Sequence, residues 1–188
     1  MRVVDIGGGL SGFQFALSRA GAEVINIDPG DEAKGLGWPV DQVTIGRLNR
    51  AYRTDVQLIN TFLEDARLDS DSVDVVYSIS TIEHIPEADL PALGREIHRI
   101  LRPGGSAVLT IDLFLNLTPF TTRKSNQFGT NINVHTFLED SALDLAHGER
   151  SELYGFEEFE AISILGRLEE LELGAYPELV QTAVLRKP

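Results

Sequence analysis

The sequence contains no cysteine. That absence removes disulfides, cysteine-ligated zinc and a thiol nucleophile from the chemistry open to the chain, and no metal site is expected. Basic residues are scarce as well. Sixteen Lys and Arg stand against 29 Asp and Glu, a formal net charge of −13 at pH 7. Such a surface repels a phosphate backbone, so no nucleic-acid partner is expected. The densest basic stretches are Arg47, Arg50 and Arg53, then Arg123 and Lys124. Each is too small to track a groove, and the first reads as a solvated helix face. Long apolar runs are missing: no stretch approaches the roughly 20 residues that span a bilayer. Nor does a basic, apolar, small-residue leader open the chain. The expectation is therefore no membrane partner and a cytoplasmic location.

What is present suits one packed domain. The chain has 188 residues, 43% hydrophobic and 24% charged, enough for a single core and too few for two. Apolar runs of strand length alternate with stretches of helical period, the pattern of a doubly wound α/β sheet with helices on both faces. Strands are expected at Arg2 to Ile6, Glu23 to Ile27, Val56 to Phe62, Val73 to Ser78, Ser106 to Ile111 and Leu179 to Arg186. Phe13, Ala16, Leu17 and Ala20 predict the first helix. Others are expected over Ile45 to Arg53, along Leu90, Leu93, Ile97 and Leu101, from Thr136 (with Glu139 as a capping box) through about Ala146, and along Phe156, Phe159, Ile162, Leu165 and Leu168. The third of these helices meets Arg102-Pro103-Gly104-Gly105, a breaker. Residues 113–133 show no period and read as an insertion or lid.

The chemistry begins at Asp5-Ile6-Gly7-Gly8-Gly9-Leu10-Ser11-Gly12, between a strand and a helix. Glycines let backbone turn tightly against a ligand, and the helix start behind them offers free N–H groups to an anion. Asp28 ends the next strand, where a carboxylate can accept from both hydroxyls of a ribose. Turn and Asp28 together predict an adenosine-containing cofactor. Gly7, Gly9 and Gly12 also satisfy the dinucleotide fingerprint, so an NAD(P)-dependent oxidoreductase stands as the alternative. Against it, Asp5 would repel a pyrophosphate, whereas a cofactor with a cationic amino group and a sulfonium would tolerate it.

The succession Asp5-Ile6-Gly7-Gly8-Gly9, Ile27-Asp28, Val73 to Ser78 with Ile82-Glu83-His84-Ile85, and Glu96-Ile97 through Leu101-Arg102-Pro103-Gly104-Gly105 resembles class I S-adenosylmethionine-dependent methyltransferases of the type 11 group. The similarity covers residues 2 to about 112. It implies seven strands, one antiparallel near the edge, with S-adenosyl-L-methionine lying across the carboxyl ends of the first, second and fourth. It further implies that Asp5, Gly7, Gly8 and Gly9 form the turn at the methionine end. Asp28 would hold the ribose, and the backbone of Ser78, Ile79 and Ser80 the amino-acid end. Relatives often carry glycine at Ser11 and an aspartate at the end of the third strand. Here Phe62 and Leu63 stand at that place, so the adenine is expected against Phe62 and backbone groups. Such proteins usually have a helix ahead of the first strand; this chain starts on the strand, so a minimal or truncated domain, or a catalytically inactive relative, is a further alternative.

Methyl transfer from a sulfonium needs alignment and a base for the acceptor's proton. His84, after the fourth strand, and His135, at the end of the irregular loop, are the candidate bases; His98 and His147 read as surface residues. Phe114, Phe120, Asn126, Gln127, Phe128, Asn131 and Asn133 put amides beside aromatic rings, a combination suited to a hydroxyl-rich small-molecule acceptor. The stretch Ser151 to Phe156 is similar to methyltransferases of surface-polysaccharide functions. Trp38 reads as a packing residue. The expected reaction is O-methylation of a small hydroxylated metabolite or a sugar or glycan precursor.

Overall fold

The computed structural model describes residues 1–30, 39–168 and 178–188; Trp38 lies outside them. Seven strands form one sheet in the order β3-β2-β1-β4-β5-β7-β6. They are β1 Arg2–Ile6, β2 Glu23–Ile27, β3 Gln57–Ile59, β4 Val73–Ile79, β5 Leu101–Phe114, β6 Asp144–His147 and β7 Glu178–Arg186. Strands β1 to β5 are parallel, and β7 runs antiparallel between β5 and β6. Among the described residues, helices α1 Gly12–Arg19, α2 Gln42–Tyr52, α3 Leu90–Ile100, α4 Val134–Ser141 and α5 Ala161–Gly166 join the strands. The doubly wound architecture read from the alternation is the one observed.

The central strands are apolar on both faces because both faces are covered. Val3, Val24 and Tyr77 pack with Phe15 and Ile45 beneath α1 and α2. Val4, Ile6, Val76, Leu109 and Ile111 pack with Leu93, Ile97 and Ile100 of α3. Ile97 and Ile100 have no exposed surface, and full burial of such a side chain is worth about 1.5–3 kcal/mol. The strand order reverses between β1 and β4. The crevice at such a switch point, outside the carboxyl ends of the strands, is where open α/β sheets bind ligands.

The elements differ from expectation in four places. β3 spans Gln57–Ile59 and stops short of Phe62. Beyond it the Asn60 amide donates to the carbonyls of Asp28 and Val40, turning the chain toward a short 3-10 turn at Leu63–Asp65. The Arg102 to Gly105 breaker does end α3, yet it lies inside β5. The partner of β4 jumps from Leu101, opposite Val73, to Ser106, opposite Val75, and Gly104 at φ +74 makes the bend. The helix expected through Ala146 ends at Ser141, because Ala142 adopts φ +54 and the next residues form β6. Its capping residue is Asn133, whose side chain accepts from the Thr136 N–H. Finally, the helix expected from Phe156 begins only at Ala161, and its first described segment is Ala161–Gly166.

Candidate cofactor and acceptor site

The glycine turn sits at the carboxyl end of β1, at the switch point. Gly7 and Gly9 adopt φ +69 and +48, which side chains disfavour. A Cβ on Gly8 would come within 2.2 Å of Asp5 Oδ2, and one on Gly7 within 2.3 Å of the Thr81 side chain. The turn is tied down from behind. Gln14 Nε2 donates to the carbonyls of Gly9 (3.1 Å) and Gly8 (3.3 Å), and Asn26 Nδ2 donates to Gly9 O (3.0 Å) and Gln14 Oε1 (2.9 Å). Ser11 caps α1 by accepting from the Phe13 N–H.

Asp28 closes the turn from the side. Its Oδ2 accepts from Gly9 N at 2.9 Å and its Oδ1 from Gly30 N at 2.7 Å. Each carboxylate oxygen retains a further lone pair, so two ribose hydroxyls can donate without displacing those bonds. Asp5 is placed differently from expectation. It is 1% exposed, lies under Gly8, and accepts from the Tyr77 hydroxyl at 2.7 Å. It supports the turn rather than facing a ligand, because β1 directs its side chain beneath α1. Burial pushes its carboxyl up to about 7, against the Tyr77 hydrogen bond and with help from the Asp28 charge.

The remaining predicted residues divide. Ser78 is buried and its hydroxyl donates to Ile6 O, so its side chain does not face the site. Ile79 is half exposed. Ser80 sits at φ +47, its hydroxyl donating to Asp112 Oδ1 at 2.9 Å. Phe62 is 48% exposed beyond β3, as an adenine platform requires, whereas Leu63 is 4% exposed and belongs to the core. His84 turns one ring nitrogen, Nδ1, to the Phe128 carbonyl. The other, Nε2, stands 3.9 Å from Glu83 Oε1. His135 is not brought to the glycine turn. Its ring packs edge-on against Phe156, its Nδ1 is 4.0 Å from Glu139, and it lines a separate open cleft with Leu138 and Arg150.

Residues 115–133 fold back over the ends of β4 and β5. Thr130 N donates to Glu83 O, and Gly129 lies so close that a Cβ would meet that oxygen at 1.9 Å. The loop's amides are largely committed to the loop itself. Asn131 bonds the Phe114 backbone and Thr118 O, and Asn126 accepts from the N–H groups of Phe128 and Gly129. Phe128 is 51% exposed and stacks on Phe114; Gln127, Arg123 and Lys124 are exposed.

Sequence reasoning passed over Gln14, Asn26, Tyr77, Glu83 and Asp112. A signal existed for some: Asn26 and Asp5 interrupt otherwise apolar buried strands, and they are register partners, as are Asp5 and Tyr77. Nothing in the spacing pairs Glu83 with Asp112, which meet only because β5 lies beside β4.

A family model described as "Methyltransferase domain" matches residues 4–109. The chain belongs to this methyltransferase family. It is similar to an uncharacterized methyltransferase of Mycobacterium sp. (strain KMS), 36% identical over 113 residues, which are 60% of this chain and 39% of that protein. An uncharacterized methyltransferase of Mycobacterium avium (strain 104) is 30% identical over the same length. The chain thus spans about two fifths of these relatives. Among solved structures it shares its fold with an S-adenosylmethionine-dependent methyltransferase from Mesorhizobium loti, at 18% identity and TM-score 0.65, over 98% of this chain and 90% of that one. It shares it also with the [4+2]-cyclase SpnF, at 14% identity and TM-score 0.66, over 100% and 75%. At the switch point this methyltransferase domain has a turn with no room for a Cβ, an aspartate with spare lone pairs beside it, and an exposed ring beyond β3. Among the described residues, no helix is long and apolar enough to cross a membrane.

Proposed function

We propose that the protein transfers the methyl group of S-adenosylmethionine to a hydroxyl oxygen of a small acceptor such as a sugar or glycan precursor. The observation that carries this reading is the juxtaposition of the glycine turn with the loop 115–133. Both stand at the carboxyl end of the sheet, and Thr81 joins them, its hydroxyl donating to Gly7 O one turn before Glu83. In this reading Asp28 receives the ribose hydroxyls, the Ser78 to Ser80 backbone the amino-acid end, and Phe62 the adenine. The exposed Phe128 ring and the Gln127 amide offer a sugar an apolar face and a hydrogen-bonding edge. The charge of −13 disfavours nucleic acid as the acceptor. His84 acts as the latch that seats the loop, with Nε2 left for the acceptor, and His135 takes no part at the reacting atoms.

The test is a panel of hydroxylated, amine and carbon acceptors incubated with methyl-labelled S-adenosylmethionine. Label in an ether of a hydroxylated acceptor is expected. Transfer confined to amines or carbon would overturn the oxygen assignment, and binding of S-adenosylhomocysteine without transfer to any acceptor would mark an inactive relative.

A further inference from the structure

Among the described residues Glu83 is a buried ionisable side chain without a hydrogen-bond partner. It has no exposed surface, and neither carboxylate oxygen makes a hydrogen bond of normal geometry. An isolated buried carboxylate of this kind is strongly disfavoured. What surrounds it is more acid. The Asp112 side chain at the end of β5 is within hydrogen-bonding reach, and burial and the Asp112 charge push the Glu83 carboxyl up to about 8. Glu178, at the start of β7, feels Asp112 and His84 in turn, and burial first, then Asp112, raises its carboxyl. Three carboxylates and one imidazole therefore converge from the 3-10 turn Ile82–His84 after β4, from β5 and from β7. With burial as the main cause of its raised carboxyl, Glu83 keeps its proton at neutral pH.

The cluster lies beside the site already described. Asp112 is partly exposed, and Ser80, which leaves β4 in a left-handed conformation, fixes its Oδ1. The next residue, Thr81, touches the glycine turn. From Gly7 through Thr81 and Ser80 to Asp112 there is an unbroken run of contacts along the edge where the methyl donor and the acceptor must meet.

We propose that Asp112, backed by the buried Glu83, takes the proton from the acceptor hydroxyl during methyl transfer. The inference rests on the oxygen-methylation reading. The acceptor oxygen forms a bond to the methyl carbon. The bond from that carbon to sulfur breaks, and its electron pair stays on sulfur. The acceptor's proton passes to Asp112 and is shared with Glu83. Asp112 is the catalytic residue, and Glu83, which has no surface, is the positioning residue that makes its partner a stronger base. A pair already holding one proton is a weak base; a fully ionised pair is a strong one. Turnover therefore rises as pH climbs through the pair's upper titration.

The experiment measures turnover against pH, together with S-adenosylhomocysteine affinity, for the wild type, Asp112→Asn, Glu83→Gln and His84→Asn. The expected results are an acidic limb near pH 8 in the wild type and a loss of about 10²–10⁴-fold in Asp112→Asn, with cofactor affinity unchanged. In Glu83→Gln the limb moves down toward the ordinary carboxylate range, and in His84→Asn it stays in place. A limb that stays in Glu83→Gln, or vanishes in His84→Asn, overturns the proposal. So does full turnover in Asp112→Asn. If no acceptor is turned over, the oxygen-methylation reading is what fails, and the pair is tested alone by carbon-13 titration of the side-chain carboxyls. One carboxyl titrating near 8, lost in Glu83→Gln and lowered in Asp112→Asn, supports the pair. All carboxyls titrating in the ordinary range overturn it.

Discussion

Asp28 holds two backbone N–H groups, those of Gly9 and Gly30, and keeps 6% of its surface exposed. Replacing it with alanine removes the charge-assisted bonds to the ribose and frees the turn at once. Asp28→Ala should weaken S-adenosylhomocysteine binding by roughly 1–3 kcal/mol in calorimetry, and the core strands behind it should still unfold cooperatively. An unchanged affinity would show that the ribose is held elsewhere. Asp5 makes a different prediction, because it reaches the ligand only through Gly8. Its folded carboxyl titrates near 7 and its unfolded one near 3.9. Between those values the native state keeps a proton the unfolded chain has released. Its effect on stability is therefore nil below about pH 4, grows steadily unfavourable as pH rises toward 7, and is constant above, reaching on the order of 4 kcal/mol. Asp5→Asn keeps an acceptor for the Tyr77 hydroxyl and removes the titration. Denaturant unfolding at pH 4.5 and pH 7.5 should show the variant gaining on the wild type at the higher pH; equal differences at both would refute the assignment. At this scale the sequence located residues at the carboxyl ends of β1, β2 and β4 but not the way their side chains point. Asp5, Ser78 and Leu63 all stand at predicted positions, and all three side chains turn inward, because strand alternation and packing decide orientation.

Elements whose period matches one face of a core were legible. The runs at Arg2 to Ile6, Glu23 to Ile27 and Val73 to Ser78 are buried on both sides and came out as strands, and α3 followed its apolar stripe. The segment after residue 133 was misjudged at its far end, for a local reason. Leu138 and Leu145 stand seven residues apart, a helical spacing, but Ala142 turns left-handed, and Leu145 pairs with Leu185 at the sheet edge, a long-range partner invisible to periodicity. The start of α4 depends on Asn133, which caps it and packs against Gly155. Asn133→Ala should lower stability by about 1 kcal/mol and loosen the seat of the 115–133 loop. Hydrogen exchange at Thr136 should accelerate more than exchange in α3. Equal exchange in both helices would mean that packing on α3, and not the cap, fixes this helix.

The family match ends at residue 109, within β5, yet the sheet does not end there. β5 is paired on both edges, with β4 on one side and along nine residues with β7 on the other. Ala183 and Leu185 of β7 are buried and pack in the same core as Leu109 and Ile111. The final residues are anchored as well: Gly104 N donates to Lys187 O and Lys187 N to Gly105 O, while the Lys187 ammonium reaches Asp71 and Leu101 O. Removing residues 178–188 would uncover one whole edge of β5, leave β6 without a partner and strip the anchor from the bend at Gly104. Those losses fall on a strand at the centre of the molecule, so they cannot stay local. A chain ending at residue 177 should therefore lack a cooperative thermal transition and bind a hydrophobic dye, although every residue of the family match and of the glycine turn is still present. Retention of a sharp transition, with S-adenosylhomocysteine still bound, would show that the five parallel strands fold alone and that β7 merely covers them.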